Sequence, residues 1–348
     1  METKSLYFYL FAMTLVVVAS YVGNRFSHVF DDSTQKENDL IRQYLLNESP
    51  LYGYNRPKMW IHSKYEVNAR KWKDFQSRNT TDLNQPYIHL AIKTIIDHCG
   101  EDFNICLIDD DSFKTLIPGW DVEVSTLAEP FRSHIREIGM IQLLYIYGGI
   151  VVPNSFVCHR NLMELYLQGV DEKRPFICEN INRTMNLAKH SNRLAYLPDI
   201  NMMGAAKGDT TIKELLGYLK IRNQSIHFTS EYDFLGDTSN WCLDAARANK
   251  MNIVRAELVG VKSKNQRVIQ LEDLLGEDDL YLHPAAYGVW VPREEILRRP
   301  KFEWFAALSS KDVLRANVFL SRYIIDCSLP AAGEIYYQPK EIRSVISI

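Results

Sequence analysis

The chain has 348 residues, of which 46% are hydrophobic and 24% charged, as is ordinary for a globular protein. Its net charge is −3 and no block of basic residues stands out, so we expect no nucleic-acid partner. The length suits one large domain, or a domain with an elaborated tail. None of the six cysteines lies in a CxxC pair or at metal-like spacing, so we interpret them as small core residues with room for one or two disulfides.

The amino-terminal segment has no charge over residues 5–24, and Lys4 and Arg25 bracket it. About 20 such residues can span a bilayer as one helix, which predicts a signal anchor. A cleaved signal peptide is the rival interpretation, because residues 18–20 (Val-Ala-Ser) fit a small-residue cleavage pattern. A buried core helix is the third alternative, which the polar stretch that follows disfavours. We therefore expect a transmembrane helix in residues 1–25, and a single-pass membrane protein whose remaining domain is lumenal or external.

The segment after the anchor, residues 26–56, is predicted to be a polar stalk. A strand over 58–62, a helix over 85–99 and a strand over 103–108 then follow in order. This alternation is typical of an α/β unit. The later predicted elements are a helix over 133–147, strands over 150–152 and 175–178, a strand or turn over 201–205, a helix over 210–219, extended segments over 254–261 and 280–291, and helical spacing over 293–329.

The pair Gly148-Gly149 separates the helix over 133–147 from the short strand after it. Two glycines permit positive φ and a close backbone approach to a bulky group. The strand runs directly into Pro153-Asn154-Ser155. Because open α/β sheets bind ligands just past the carboxyl ends of their strands, this turn is a candidate ligand site.

Three segments in this order and spacing resemble one glycosyltransferase group. They are Pro57-Lys58-Met59-Trp60-Ile61-His62, Phe103 to Asp111, and Leu144-x-x-Tyr147-Gly148-Gly149-Ile150. The chain is similar over residues 57–210 to the capsular-polysaccharide-synthesis and sugar-binding-region glycosyltransferases. The resemblance implies a GT-A-like fold, a Rossmann-like nucleotide-sugar domain, over 57–292, with a helical extension over 293–348. It also implies transfer of a sugar from a nucleotide-sugar donor to a glycan or lipid acceptor.

The chain departs from this family at the motif that holds the metal. The family reads Tyr-Gly-Gly-Ile, two more residues and then Asp-x-Asp, whose carboxylates hold a divalent cation against the donor diphosphate. Here Pro153 offers no side-chain ligand, and Asn154 and Ser155 offer only neutral oxygens. We therefore predict that the usual metal site is absent and that no divalent-metal cofactor is held there.

The helix before the double glycine is altered too. Where the family has a Ser-Asp pair and an Arg, this chain has Arg136, Glu137 and Met140. Arg132 and Arg136 are four residues apart and share a helix face, where two guanidiniums can hold a diphosphate without metal. The alternative is a solvated pair balanced by neighbouring glutamates.

We take four residues as catalytic candidates and eleven as donor-binding candidates, several of the latter through the resemblance. The catalytic candidates are Arg132, Arg136, Asn154 and Ser155. The donor-binding candidates are Trp60, His62, Asp109, Asp110, Asp111, Gly148, Gly149, Asn201, Gly204, His283 and Trp290.

Bland alternatives stand beside these assignments. Trp60 is interpreted either as a stacking partner for a nucleobase or as core packing, and one aspartate of 109–111 either contacts donor hydroxyls or caps a helix. The acidic residues around Gly236 favour a solvated loop over an acceptor site. For the whole chain, the alternative function is a catalytically inactive, membrane-anchored binding or structural protein, because fold similarity alone does not establish chemistry.

Overall fold

The computed structural model describes residues 56–63, 85–170, 173–182, 195–224 and 231–328. All of them belong to one compact unit, residues 50–348. The predicted anchor, and the predicted stalk up to residue 55, lie outside the described residues. Among the helices that are described, none is long and apolar enough to cross a membrane.

A central six-stranded sheet organises the described domain. Its strands are β1 Lys58–His62, β2 Asn104–Ile108, β3 Gly149–Val151, β5 Phe176–Ile181, β6 Tyr196–Ala205 and β7 Asn252–Val254. They lie in the order β2-β1-β3-β6-β5-β7. Five strands run in one direction and β6 runs against them, between β3 and β5. The fold is therefore mixed α/β with a parallel-rich central sheet, which confirms the α/β part of the predicted fold class.

Two further strands form a separate ribbon beside this sheet. They are β4, Phe156–Cys158, and β8, Gly288–Trp290, which pair in antiparallel fashion. β4 follows β3 after only four residues, so the ribbon begins where β3 ends. As a result, a segment near residue 290 lies beside the predicted ligand-binding turn.

The strand order reverses at β1. The chain leaves β1 for β2 on one side and then returns across β1 to form β3 on the other, and both pairs are parallel. In open α/β sheets, the carboxyl ends of the strands at such a reversal are the usual place for a ligand. We call the carboxyl ends of β1, β2 and β3 the carboxyl edge.

Helices cover the sheet. They are α1 Tyr87–Cys99, α2 Ser112–Leu116, α3 Phe131–Tyr147, α4 Met163–Gly169, α5 Thr210–Asn223, α6 Glu231–Arg247, α7 Leu271–Leu274, α8 Arg293–Arg298, α9 Glu303–Ala307, α10 Ser310–Val313 and α11 Phe319–Ser328. α3, α5 and α6 pack against one another, and α3 and α6 also contact β6. α1 packs against β4, α10 and α11, so the helices near the carboxyl end share a core with the start of the domain.

The segment around Gly236 corrects one prediction. It forms the 17-residue helix α6 rather than a solvated loop. The local residues Gly236, Thr238 and Ser239 have weak helix propensity. Phe234 and Cys242 are nevertheless fully buried against the core, so tertiary packing outweighs local preference.

The double glycine has the predicted positive φ, +71° at Gly148 and +103° at Gly149. Gly148 approaches the backbone of Ala206 and Lys207, and Gly149 approaches the backbone of β1. A Cβ on Gly149 would lie 2.0 Å from the carbonyl oxygen of Lys58, which no side chain tolerates. Gly149 therefore lets β3 lie directly against β1.

Candidate functional site

The carboxylate of Asp110 is the centre of the carboxyl edge. It follows β2 and receives two hydrogen bonds from Arg136 on α3, from Nε to Oδ1 and from Nη2 to Oδ2, both at 2.7 Å. This bidentate arrangement is the strongest that a guanidinium and a carboxylate form. Asp110 is buried and the side chain of Arg136 is 21% exposed, so the pair is only partly open to solvent.

His62, the last residue of β1, completes this cluster. Its Nε2 lies 3.1 Å from Oδ1 of Asp110, and its ring stacks on Phe113 with a 5.7 Å centroid separation. Burial lowers the pKa of His62, although the Asp110 carboxylate opposes the shift. The imidazole is therefore neutral near pH 7. Because an ionised carboxylate only accepts hydrogen bonds, Nε2 carries the hydrogen and Nδ1 remains an acceptor.

The same contacts set the charge of Asp110. Burial alone would raise its pKa, but the hydrogen bonds from His62 and Arg136 outweigh burial and hold the pKa well below its ordinary value. Asp110 is consequently an anion across the physiological range. Much of the positive charge of Arg136 is used to neutralise it.

The Pro153-Asn154-Ser155 turn lies at the end of β3 and is held by the segment after β8. Oδ1 of Asn154 accepts a 3.0 Å hydrogen bond from Nη1 of Arg293, and Oγ of Ser155 donates to the carbonyl of Val291 at 2.8 Å. Asn154 and Ser155 are both buried. Their side-chain oxygens therefore stabilise the turn internally.

Sequence reasoning missed Arg293, which is 139 residues from its partner Asn154. It is the first residue of α8, and its side chain is 39% exposed. The charge of Arg293 is one of the smaller causes that lower the pKa of His62 at the carboxyl edge, after burial. The sequence held one signal for Arg293. A cation in the first turn of a helix is unfavourable beside the positive end of the helix dipole, which suggests that another interaction holds it there.

A second polar cluster lies on the neighbouring strands β5 and β6. The carboxylate of Asp199 accepts hydrogen bonds from the side-chain amides of Asn180 and Asn201, each at 2.9 Å. The strand register, continued by two residues, places Asn201 level with His62. Since β3 separates their strands, they stand roughly 10 Å apart. The predicted residue Asn201 thus lies on the same side of the sheet ends as the Asp110 cluster.

Other predicted residues lie in the packed interior. Trp60 is fully buried, and its indole N–H donates to the carbonyl of Gly148 at 2.9 Å, so its ring offers no open face to a nucleobase. Gly204 is closed in by Phe176, whose ring a Cβ would meet at 2.2 Å. For Trp60, these contacts support the packing alternative.

The double glycine lies at the amino end of β3, opposite the carboxyl edge. The amide of Gly148 already donates to the carbonyl of Leu144 at 2.8 Å, which ends α3. A helix carboxyl terminus carries partial negative charge, which disfavours a phosphate there. Gly148 and Gly149 therefore have a structural role in this fold.

The two aspartates beside Asp110 differ from it. Oδ1 of Asp109 accepts from the backbone N–H of Ser112 at 2.9 Å and from its hydroxyl at 2.6 Å, so Asp109 supports the start of α2. Asp111 is exposed. Arg132 lies one turn before Arg136, but its Nε donates to the carbonyl of Leu127 at 2.8 Å. The structure therefore joins Arg136, and not Arg132, to the Asp110 cluster.

The late residues His283 and Trp290 separate. The backbone of Trp290 pairs with Phe156 in the ribbon, and its side chain is buried. His283 lies seven residues earlier, where its Nδ1 accepts a 3.2 Å hydrogen bond from the amide of Ala285 in its own loop. Only Trp290 is near the Pro-Asn-Ser turn.

Metal ligation can be judged for the described part of the chain. Across those ranges, no group of three or more His, Cys, Asp or Glu residues could hold a metal ion. At the turn itself, Asn154 binds Arg293 and Ser155 binds a backbone carbonyl. Among the described residues, the cationic group that contacts the turn is the guanidinium of Arg293.

Comparisons with known proteins are sparse. No protein-family model matches the chain, and no curated protein matches it. Among solved structures, the chain is similar to one described as PaToxG glycosyltransferase, with a TM-score of 0.32 and 10% sequence identity. That match covers 63% of this chain and 79% of the other. A similarity this distant does not assign a family.

Proposed function

We propose that this chain is glycosyltransferase-like, with a GT-A-like domain that binds a nucleotide-sugar donor at the carboxyl edge and transfers the sugar to a glycan or lipid acceptor. The observation that carries the proposal is the gathering of polar side chains at the strand-order reversal. His62 and the Asp110–Arg136 pair lie at the ends of β1 and β2, and the Asn154–Arg293 pair lies at the end of β3. A reversal point with such groups is where a sheet of this kind binds nucleotides.

The proposed chemistry needs stabilisation of a leaving diphosphate. As the bond from the anomeric carbon to the phosphate oxygen breaks, negative charge grows on the diphosphate, and fixed cationic donors lower the barrier. We assign that role to Arg293, with Arg136 as a second donor whose charge Asp110 partly offsets. A guanidinium binds phosphate oxygens by paired hydrogen bonds and does not depend on metal.

His62 and the Asp199 cluster supply polar groups that suit the hydroxyls of a sugar, namely a neutral imidazole and a carboxylate. Neutral His62 presents Nδ1 as a hydrogen-bond acceptor, held in orientation by Asp110. Asn201 lies level with it across β3, and its side-chain amide donates to Asp199. The separation of roughly 10 Å is larger than one ribose or hexose ring. A single ligand that contacts both groups must therefore be larger than a monosaccharide, as a nucleotide sugar is.

The test is calorimetric titration of the full chain in detergent against uridine and guanosine diphosphate sugars, with and without EDTA. We expect one donor to bind equally well in both conditions. Arg293→Gln should weaken binding roughly 10- to 100-fold, since a charge-assisted bond to phosphate contributes about 1.5–3 kcal/mol. Arg298→Gln is the matched control, because Arg298 lies on the same helix and pairs with Glu294. A flat panel, or binding that EDTA abolishes and manganese restores, would contradict the proposal.

The second candidate function is a binding or structural protein with no transfer activity. It is favoured by the burial of Asn154 and Ser155, whose side chains are used to hold the ribbon and not to face a ligand. A binding protein would bind a donor without transfer or hydrolysis, whereas a structural protein would bind no donor. A radiolabelled-donor assay run on the donor that binds separates the two candidates.

A further inference from the structure

Three of the six cysteines meet on the α1 side of the domain. Cys99 ends α1, Cys158 ends β4 and Cys327 lies in α11. Cys327 contacts the histidines that adjoin the other two cysteines in the chain, His98 next to Cys99 and His159 next to Cys158. Its Sγ lies 3.6 Å from Nδ1 of His159, and its carbonyl oxygen lies 2.8 Å from Nε2 of His98. Neither the sheet edge nor the proposed function uses these thiols.

The sulfur atoms of Cys99 and Cys158 are in van der Waals contact at 3.8 Å, and both residues are fully buried. Their backbones are held in place as well. The amide of Cys158 donates to Oγ1 of Thr94 on α1 at 2.9 Å, and α1 packs along β4. A disulfide bond is about 2.05 Å long, so the two sulfurs need to approach each other by roughly a further 1.8 Å to bond.

We propose that Cys99 and Cys158 form a disulfide when the chain folds in the presence of a disulfide oxidant such as oxidised glutathione. The Cys99 thiolate attacks one glutathione sulfur, which forms a mixed disulfide and releases one glutathione thiolate. The Cys158 thiolate then attacks the Cys99 sulfur and releases the second. The two cysteines are oxidised, one oxidised glutathione becomes two reduced molecules, and the two thiol protons pass to the released thiolates.

The balance of the exchange is the same if the Cys158 thiolate attacks glutathione first and the Cys99 thiolate then attacks the Cys158 sulfur. Because both sulfurs are buried in the folded domain, the exchange takes place while α1 and β4 dock, and the finished bond is then shielded from reductants.

The bond would close a long loop. Cys99 and Cys158 are 59 positions apart, and the segment between them contains Asp110, Arg136 and the turn at Asn154. Loop closure of this length restricts the unfolded chain, so the oxidised protein should melt about 5–15 °C above the reduced one.

The experiment refolds the full chain in a glutathione redox buffer and, in parallel, in excess dithiothreitol. Peptide mapping by mass spectrometry without reduction should find one linked pair, Cys99 with Cys158. The Cys99→Ala/Cys158→Ala variant should lose the difference in melting temperature between the two buffers. Cys106→Ser, at a buried thiol of β2, should keep it. Each variant is compared with itself in the two buffers, so a loss of stability that the substitution causes in both buffers cancels.

Three results would overturn the inference. The first is recovery of Cys99 and Cys158 as free thiols from the oxidised protein. The second is a bond from either residue to Cys327. The third is stoichiometric zinc at the three thiols, released on their alkylation. None of these outcomes depends on whether the chain binds a nucleotide sugar.

Discussion

Asp110→Asn should cost more stability than any other single polar change at the carboxyl edge. The substitution removes the anion that holds two hydrogen bonds of 2.7 Å from Arg136 and one of 3.1 Å from His62. It also introduces a side-chain amide group, which can place its own N–H donors against the N–H donors of Arg136 and His62. Arg136, which is partly buried, then loses the carboxylate that accepts these two hydrogen bonds.

The magnitude follows from burial. Breaking a fully buried ion pair costs about 3–5 kcal/mol, and an exposed pair contributes about 0–1 kcal/mol. Here the side chains are 9% and 21% exposed, so we expect a loss of about 2–4 kcal/mol. Asp111→Asn is the matched control, since the neighbouring Asp111 is exposed, and it should change stability by less than about 0.5 kcal/mol.

Urea unfolding followed by circular dichroism measures both variants. The midpoint for Asp110→Asn should fall while the slope of free energy against urea stays unchanged. The pKa of Asp110 is lowered in the folded state, so its contribution is complete above about pH 4 and is lost as pH falls further. The wild-type and variant curves should therefore converge in acid. A loss below about 0.5 kcal/mol at pH 7, or an equal loss for Asp111→Asn, would refute this reasoning.

Three further predictions concern other parts of the chain. Burial lowers the pKa of His134 to about 4, so stability should fall by up to about 3 kcal/mol as pH drops from 6.5 to 4, and His134→Phe should flatten that slope in pH-dependent unfolding. Gly149→Ala should cost more than about 3 kcal/mol in urea unfolding, because its Cβ would strike a backbone carbonyl, whereas Gly208→Ala, with positive φ but open space, should cost about 1 kcal/mol. For residues 5–24, we propose a retained anchor with the domain on the lumenal or external side. The protein should then stay with membranes in alkaline extraction, and a soluble product lacking residues 1–20 would show cleavage instead.

The regular elements could be predicted from local pattern. The strand predicted over 58–62 agrees with β1 residue for residue, and the helix predicted over 133–147 differs from α3 by two residues at its start. Apolar spacing and the double glycine are local signals, so they can be read from the sequence without knowledge of the fold. The extended segment predicted over 280–291 was too long. Only Gly288–Trp290 pairs, since a strand needs a partner that local sequence does not reveal.

The site was harder to predict because its partners are distant in sequence. Asp110 could be placed at a strand end, but its pairing with Arg136 depends on how α3 crosses the sheet. The contact between Asn154 and Arg293 depends on the β4–β8 ribbon, for which no sequence periodicity existed. The joint assignment of Arg132 and Arg136 to a diphosphate site rested on helix spacing alone, and only Arg136 contacts Asp110.

The β4–β8 ribbon has a consequence for synthesis. Arg293 is translated 139 residues after Asn154, and the two meet only through that ribbon. Because domains emerge from the ribosome amino end first, β1, β2 and β3 leave it well before Arg293 does. A nascent chain that stops short of β8 lacks both the partner strand of β4 and the guanidinium beside the turn. If the carboxyl edge binds a donor as proposed, a chain that ends before residue 293 lacks Arg293 and should not bind that donor.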